Sequence, residues 1–465
     1  MTPGGRPNFL LLMTDQQRAD ALGCSGDWVR TPHLDRLAGE GVQFSNCVTT
    51  SPVCIPARLS LATGLYPHNT WVWDNQNHSL DPRTPTWMQA VRAAGYRTSL
   101  FGKTHLHPHG GDLRDREHLM HAYGLDDVDE IGGPRASAQV LSHMTARWQD
   151  LGLWDAYRED IADRFATKPH VARPSPLPLA EYADTYVGQR AVEYLRGYDR
   201  AQPWCCWVSF GGPHEPWDTP AEFADRYDPE QMPLPAPLPP WATDSSDRPR
   251  GALDDKLVGR PQLAPEDVAA MRANYAGNVE LIDDQIGQIL NTIEARGELE
   301  NTIVIFTSDH GEMNGDFGLI YKSQLLNGAV RVPLIVRTPE TAAAASATAG
   351  TINDSPTEWI DVGATLCEAA GAKAPGFSRS LLPGVEDSTH RHREGAISEM
   401  NREIMWLDGD HKAVVNAAGE IYLLFDRAQD PLEQDNLAGR SQAEALETQM
   451  RLRILEHLVQ TQIGR

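Results

Sequence analysis

The sequence is short of three things: long apolar runs, cysteines and basic residues. The longest apolar run near its start, Phe9 to Met13, has five residues, which is too few for a signal peptide or a membrane-spanning helix. The six cysteines are irregularly spaced and form no C-x-x-C pair, which argues against a disulfide framework or a cysteine zinc site. We therefore predict a soluble, cytoplasmic protein that has no membrane partner.

Lysine and arginine together number 41 against 64 aspartates and glutamates, so the 465-residue chain has a formal net charge of −23. Such an acidic chain cannot supply the counterion release that drives binding to a phosphate backbone, which excludes a general nucleic-acid binder. Hydrophobic residues make up 41% of the chain, as in ordinary globular proteins, so disorder is excluded as well. The length suits one large domain with an appendage, or two to three smaller domains.

Short apolar runs that are typical of buried strands alternate with helical patterns along the chain. The predicted strands are 8–14, 96–101, 204–210 and 302–307, and the predicted helices are 85–94 and 268–293. This alternation indicates a mostly parallel sheet covered by helices on both faces, which binds ligands beyond the carboxyl ends of its strands. Asp15 and Asp309 each follow a predicted strand end.

Composition changes divide the rest of the chain. Residues 217–261 are rich in proline and acidic side chains, which predicts a long surface loop near the entrance of a site. A predicted helix over 357–370 is followed by a segment rich in glycine, proline and serine, then by strand-like runs and a helix over 443–459. We predict a main domain over 1–375 and a small α+β subdomain over 376–465.

The most informative segment is SPVCIPARLSLATG, residues 51–64, in which Cys54 to Arg58 have the form C-x-P-x-R. This segment resembles the signature of the type I sulfatases, formylglycine-dependent enzymes of the alkaline phosphatase superfamily. The alternative is a buried structural cysteine before a proline-initiated helix. The resemblance implies an α/β fold, an alkaline-phosphatase-like sandwich with a large mostly parallel sheet covered by helices and a small C-terminal α+β subdomain.

In that family the cysteine is oxidised to formylglycine by a maturation enzyme, which would be a partner of this chain. The hydrated aldehyde at position 54 would offer one oxygen as the nucleophile, and the other would expel sulfate as the diol collapses to the aldehyde. A helix that begins beside Cys54 would direct its free N–H groups at the anionic centre. Arg58, one turn later, would hold the diol oxygens.

A second segment, GYRTSLFGKTHL at 95–106, resembles the second signature of the family through its Gly-Lys-x-His core. Lys103 and His105 follow a predicted strand two positions apart, so in an extended segment both side chains would project to the same side. The resemblance implies that Lys103 contacts the diol and the sulfuryl oxygens and that His105 orients or deprotonates the nucleophile. The alternative is a solvated loop lysine and histidine.

The resemblance implies one divalent metal ion held by Asp15, Gln16, Asp309 and His310, with an oxygen of modified Cys54 completing the site. Gln16 and His310 stand where these enzymes usually have an aspartate and often an asparagine. That departure resembles the branch of phosphonate monoester hydrolases and choline sulfatases. Calcium is favoured as the ion, with manganese or magnesium as alternatives.

Three further residues have roles implied by the resemblance. His214, in GGPHEP, corresponds to the acid that protonates the leaving oxygen, and Lys322 to the lysine that contacts the sulfate and the leaving group. Asn75 is a weaker match as a polar contact to the sulfuryl group. The alternatives are a turn histidine and a solvated lysine.

Six histidines in the first third of the chain have no helical spacing of a metal pair, so we predict them at the surface or along the pocket, with His107 and His109 at its mouth. They are His68, His78, His107, His109, His118 and His121.

We expect a sulfuric ester hydrolase that releases inorganic sulfate from a small organic or aryl sulfate ester. A phosphonate monoester or phosphodiester hydrolase with the same site is the alternative, favoured by Gln16 and His310. A catalytically silent ester-binding protein with unmodified Cys54 is a second alternative. A homo-oligomer is compatible with the sequence, which does not fix the oligomeric state.

Overall fold

The computed structural model describes residues 5–76, 78–167, 170–242, 263–343 and 346–463. Part of the predicted surface loop over 217–261 lies outside these residues, from 243 onwards. The described part of that loop is not entirely irregular, because it contains a short helix and two 3-10 turns.

The described residues contain fourteen strands, which form three sheets. The strands are β1 Asn8–Asp15, β2 Val42–Phe44, β3 Cys47–Val48, β4 Arg97–Gly102, β5 Asp127–Glu130, β6 Trp204–Pro213, β7 Thr302–Ser308, β8 Leu334–Arg337, β9 Thr351–Asn353, β10 Thr357–Glu358, β11 Ala396–Met400, β12 Glu403–Leu407, β13 His411–Val415 and β14 Ile421–Asp426. The main sheet has eight strands in the order β5-β4-β6-β1-β7-β8-β2-β9, while β10 pairs with β3 and β11 to β14 form a separate sheet.

The described residues also contain fourteen α-helices. The helices are α1 Pro32–Glu40, α2 Cys54–Thr63, α3 Pro67–Thr70, α4 Trp87–Ala93, α5 Glu117–Ala122, α6 His143–Asp150, α7 Trp154–Thr167, α8 Ala183–Gly197, α9 Ala221–Ala224, α10 Pro265–Ala295, α11 Asn327–Val330, α12 Asp361–Ala369, α13 Leu382–Glu386 and α14 Glu444–Gln460. Within the described ranges, no helix has enough apolar length to cross a lipid bilayer.

Both faces of the main sheet are covered by helices, which explains why its central strand is apolar without alternation. Successive side chains of a strand point to opposite faces. Odd-numbered residues of β1 belong to a hydrophobic cluster with α2, α4 and α12, whereas its residues 10 and 12 belong to a cluster with α1, α8 and α10. The predicted α/β architecture is therefore confirmed.

The main sheet is mostly parallel, with one reversed strand. Strands β5, β4, β6, β1 and β7 run parallel to one another, and β8 is antiparallel to both β7 and β2. The carboxyl ends of five neighbouring strands therefore meet at one edge of the sheet. The residues at or just after those ends are, in spatial order, Glu130, Lys103, His214, Asp15 and Asp309.

The helix predicted over 357–370 is shorter than expected. Thr357 and Glu358 form strand β10, which pairs with β3, and the helix begins only at Asp361. The pairing with β3 uses the backbone groups that an earlier helix start would need. The predicted helix over 85–94 likewise begins later, at Trp87, where Thr86 caps it by accepting a hydrogen bond from the Gln89 N–H.

The end of the chain forms the expected α+β appendage, a four-stranded antiparallel sheet with helix α14. A buried arginine ties it to the rest of the chain: the Arg393 guanidinium lies 3.2 Å from Glu358 and donates to Asp361 at 2.9 Å. The domain boundary at residue 375 stays a prediction.

Gly102, the last residue of β4, provides a test of how tightly this edge is built. Its φ is 115°, and a Cβ there would lie 1.8 Å from the Ser209 carbonyl oxygen of β6. We expect Gly102→Ala to lower the free energy of unfolding by about 2 kcal/mol or more, because the backbone of β4 or β6 must shift to make room for the added methyl group. Gly110→Ala, where a Cβ meets nothing within 4 Å, is the control, and equal melting temperatures for the two variants would contradict the argument.

Candidate active site

The edge where the strands end holds a cluster of four buried residues, Asp15, Cys54, Asp309 and His310. One ligand atom from each lies within 4.8 Å of the others. Cys54 reaches the cluster because it is the first residue of α2, a helix buried on every side whose amino end faces the sheet edge. The structure thus brings together four of the five predicted metal-site residues.

The geometry of the cluster suits a divalent cation. The Cys54 Sγ lies 3.0 Å from His310 Nε2 and 4.0 Å from an Asp15 carboxylate oxygen. His310 Nδ1 donates to the Gly311 carbonyl at 3.0 Å, which turns Nε2 toward the two aspartates, 3.7 Å from an oxygen of each. Two carboxylates, an imidazole nitrogen and side chain 54 therefore form a donor set that divalent metals accept.

Gln16, the fifth predicted ligand, lies beside the cluster. Its backbone N–H donates to Asp309 Oδ1 at 3.0 Å, which orients that carboxylate. Its side-chain nitrogen donates to Glu215 at 2.9 Å and also to Glu312, and its amide oxygen accepts from Lys322. Gln16 thus links the aspartate pair to a second polar group, and its role as a ligand stays a prediction.

Arg58 organises the cluster from beneath. Its fully buried guanidinium donates to Asp309 at 2.8 Å, to Asp15 at 3.3 Å, and to the Lys103 carbonyl at 2.6 Å. These bonds orient both carboxylates and the loop that carries Lys103. The observed partners of Arg58 make it a positioning residue for the aspartates, while its predicted contact with the nucleophile remains untested.

Charge compensation keeps the Asp15 carboxylate ionised. Burial raises the pKa of Asp15, but its ion pair with Lys103 and the nearby His214, Arg58 and His310 hold that pKa well below the usual range. His310 shows the complementary effect: burial lowers its pKa, and Asp309 together with Cys54 raises it to about 9.

Side chain 54 occupies a position that favours negative charge. Burial by itself raises the pKa of the Cys54 thiol, but Lys103, Lys322 and His310 together outweigh it, so that the pKa lies well below the ordinary value. The residue is 1% exposed, yet its close neighbours are charged groups rather than packed apolar ones. An anionic atom at this position is therefore stabilised by the surrounding protein.

Lys103 and His105 follow β4, but not as an extended segment, so that prediction is wrong. His105 has a φ of 58°, because the chain turns immediately after the strand. Burial and the nearby Lys103, His109, Arg58 and His214 lower the pKa of His105 well below its ordinary value. The imidazole is therefore neutral, which suits a proton acceptor.

Glu130 holds the loop that carries Lys103 and His105, and sequence reasoning missed it. Its carboxylate accepts hydrogen bonds from the Thr104 hydroxyl, from His107 Nε2 at 2.7 Å and from His109 Nε2 at 3.2 Å. His107 is fully buried and does not lie at the pocket mouth as predicted, because this pairing draws it inward. The signal was weak, since strand β5 reads DVDE and lacks an apolar pattern.

Lys322 and His214 form a direct pair at the same edge. His214 Nδ1 donates to the Glu215 carbonyl at 2.6 Å, so Nε2 carries the lone pair that accepts from the Lys322 ammonium group. Burial lowers the pKa of Lys322, but Cys54, Glu215 and Asp15 raise it above its ordinary value. Lys322 is therefore the protonated member of the pair.

The remaining neighbours frame the pocket. Asn75 is exposed, and its side-chain oxygen accepts from the Ile55 N–H at 2.9 Å, which caps the amino end of α2. Its predicted contact with substrate stays a prediction. Two buried carboxylates, Glu215 and Glu312, were not predicted, and Arg135 lies 3.4 Å from Glu215.

The chain is similar to known proteins over most of its length. Residues 7–372 match the family model named Sulfatase. A multifunctional alkaline phosphatase superfamily protein, PehA of Trinickia caryophylli, is 30% identical over 478 residues, which cover 93% of this chain and 91% of that protein. An arylsulfatase of Clostridium perfringens is 28% identical over 455 residues, which cover 93% of this chain and 90% of that protein.

The fold is similar to solved structures as well. The phosphonate monoester hydrolase of Agrobacterium radiobacter matches with a TM-score of 0.77 and 25% identity, and the match covers 98% of this chain and 96% of that chain.

Replacing Glu130 tests whether it positions the Lys103 loop. We expect Glu130→Gln to lower the kcat for an activated aryl sulfate by about 10- to 100-fold with little change in melting temperature, because the amide loses an acceptor for the histidines. Glu117→Gln, which alters a half-buried carboxylate paired with His143, is the matched control. Unchanged turnover in Glu130→Gln would show that the loop is held without it.

Proposed function

Because the chain belongs to the sulfatase family and is a hydrolase of that type, we propose that it releases inorganic sulfate from a small organic or aryl sulfate ester. The observation that carries the proposal is the position of side chain 54. It lies among Asp15, Asp309 and His310, and the positive charges of Lys103 and Lys322 are close enough to stabilise an anion there.

Two groups complete the proposed site. Oxidation of Cys54 to formylglycine by a maturation enzyme would supply a hydrated aldehyde whose oxygen is the nucleophile and whose collapse permits release of sulfate. A divalent cation, with calcium favoured over manganese or magnesium, would supply charge neutralisation for the ester oxygens and would be held by Asp15, Asp309 and His310, with Gln16 beside it.

The chain's own cations bind and orient the ester in this proposal. Lys103 and Lys322 are placed to attract the sulfuryl oxygens, and the amino end of α2 adds a favourable dipole at residue 54. Arg58 keeps the two aspartates in position, and the neutral His105 is the candidate acceptor for the proton of the nucleophile.

Lys322 and His214 together protonate the leaving oxygen. Since His214 Nε2 accepts from Lys322 in the resting arrangement, the proton starts on the lysine Nζ. It reaches the leaving alcohol either directly or after transfer to His214 Nε2. The acid is thus the pair, with the backbone carbonyl of Glu215 fixing the imidazole by its bond to Nδ1.

Small esters are the proposed substrates because the positive electrostatic potential is confined to the active site. The protein as a whole carries −23 charges, which repel a long acidic polysaccharide. A single sulfate group meets Lys103, Lys322 and the cation site without approaching the rest of the acidic surface.

Hydrolysis of a phosphonate monoester or phosphodiester is the second candidate. It is favoured by the likeness to the phosphonate monoester hydrolase structure and to PehA, together with Gln16 and His310 at the proposed metal site. The tetrahedral, anionic centre of such an ester requires the same cations, so the site geometry accepts both bonds.

A substrate panel separates the two candidates. We expect the purified protein to hydrolyse 4-nitrophenyl sulfate with a higher kcat/KM than phenyl 4-nitrophenylphosphonate or bis(4-nitrophenyl) phosphate. A large preference for either phosphorus substrate would establish the second candidate instead.

The state of residue 54 decides whether the chain is an enzyme of this type. We expect carbonyl labelling and mass spectrometry of the peptide that contains Cys54 to detect the aldehyde when a maturation enzyme is co-expressed. Cys54→Ala should abolish turnover of every ester in the panel, whereas Cys24→Ser, at an exposed cysteine, should leave turnover intact. Full activity in Cys54→Ala would refute the proposed nucleophile.

The acid pair predicts a dependence on the leaving group. We expect His214→Gln to lower kcat about 100-fold or more for an alkyl sulfate, whose leaving oxygen needs a proton, but less than about tenfold for 4-nitrophenyl sulfate. His118→Gln, an exposed histidine, is the control. Equal losses on both substrates would remove His214 from leaving-group protonation.

A further inference from the structure

A second group of metal-ligand side chains lies outside the active site. His68 in α3, Glu399 in β11 and His457 in α14 each bring one ligand atom within 4.8 Å of the other two. The group shares no residue with the cluster around Cys54. It joins three segments that are remote in sequence, one of them the last helix of the chain.

Glu399 and His68 are already oriented toward each other. The buried Glu399 carboxylate accepts from the His68 backbone N–H at 2.9 Å and from its Nδ1 at 2.7 Å. The Thr461 hydroxyl lies 3.1 Å from His68 Nε2. These contacts fix the orientation of the His68 ring and hold its Nδ1 against the carboxylate.

His457 has a buried ring nitrogen that the hydrogen bonds of the structure leave unsatisfied. Its Nε2 is buried and has no hydrogen-bond partner among the described residues, although a buried polar atom without a partner is costly. Its ring packs edge-on against Tyr66, with centroids 4.6 Å apart, which restrains its orientation.

We propose that His68, Glu399 and His457 form a binding site for a divalent transition-metal ion of the zinc class. Two imidazole nitrogens and one carboxylate oxygen are a known donor set for zinc, and a water molecule takes the fourth position. The ion replaces the proton between His68 and Glu399, and zinc–ligand bonds of about 2.0–2.2 Å require only a modest widening of their 2.7 Å separation.

The ion's effect is structural. The ion links α14 to β11 and to α3. Because it binds the folded chain and not the unfolded one, its binding free energy adds to the free energy of unfolding. The active site requires none of these three side chains, which makes the site independent of the proposed hydrolysis.

Zinc content measured on the full chain tests the proposal. The background variant is Cys54→Ala/Asp309→Asn, which lacks two ligands of the active-site cluster. After treatment with chelator and addition of ZnCl₂ at slight excess, we expect it to bind about one equivalent of zinc and to melt several degrees higher than without zinc. Adding His457→Gln to that background should remove both the equivalent and the shift. A background variant that binds no zinc, or one that still binds it after His457→Gln is added, would overturn the site.

Cobalt provides a second measurement that does not depend on stability. CoCl₂ added to the Cys54→Ala/Asp309→Asn variant should give the visible absorption bands of a four-coordinate ion, and Glu399→Gln in the same background should lose them. Glu456→Gln, an exposed carboxylate next to His457, is the matched control and should keep them. If the His457→Gln variant does not fold, the zinc content of the background variant and the cobalt spectrum of Glu399→Gln decide the matter.

Discussion

Two carboxylates buried side by side at the ends of adjacent strands are the constraint on which the site depends. Asp15 ends β1 and Asp309 follows β7, and both are fully buried. Unpaired, such charges would be neutralised by protonation or would destabilise the fold. The guanidinium of Arg58 contacts both, and Lys103 pairs with Asp15. The ion pairs that stabilise this edge of the sheet also orient the carboxylate oxygens of both aspartates toward side chain 54.

The parallel sheet explains how distant segments provide that compensation. Five neighbouring strands deliver a glutamate, a lysine, a histidine and two aspartates to one edge, so each of these side chains lies on the last residue of a strand or on the residue after it. Backbone geometry reflects the crowding: Gln16 and His105, which follow two of these strands, have left-handed φ values of 73° and 58°. Such conformations persist only where surrounding contacts enforce them.

The sequence predicted those site residues that follow an apolar run or lie within a recognisable motif. Asp15 and Asp309 follow apolar runs, and Cys54 lies in a motif, so their convergence could be inferred from the topology of a parallel sheet. Glu130 could not, because β5 is a polar strand whose burial depends on its neighbours. His68 and Glu399 are 331 positions apart. They meet because the C-terminal sheet packs against the residues that follow α2, and no local sequence pattern predicts that contact.

The charge balance of the site argues that the bare residues are not sufficient for an anionic substrate. Asp15 and Asp309 are balanced by Arg58 and Lys103, while Lys322 faces Glu215, whose pKa burial raises but His214 and Lys322 lower to about 2. The charges of the described groups therefore nearly cancel before any ester arrives. Lys103 and Lys322 already stabilise an anionic atom at position 54. In a protein of net charge −23, an entering sulfate would add further negative charge in a region of low dielectric. A divalent cation held by the two aspartates would restore the balance, so the donor set and the proposed chemistry fit each other.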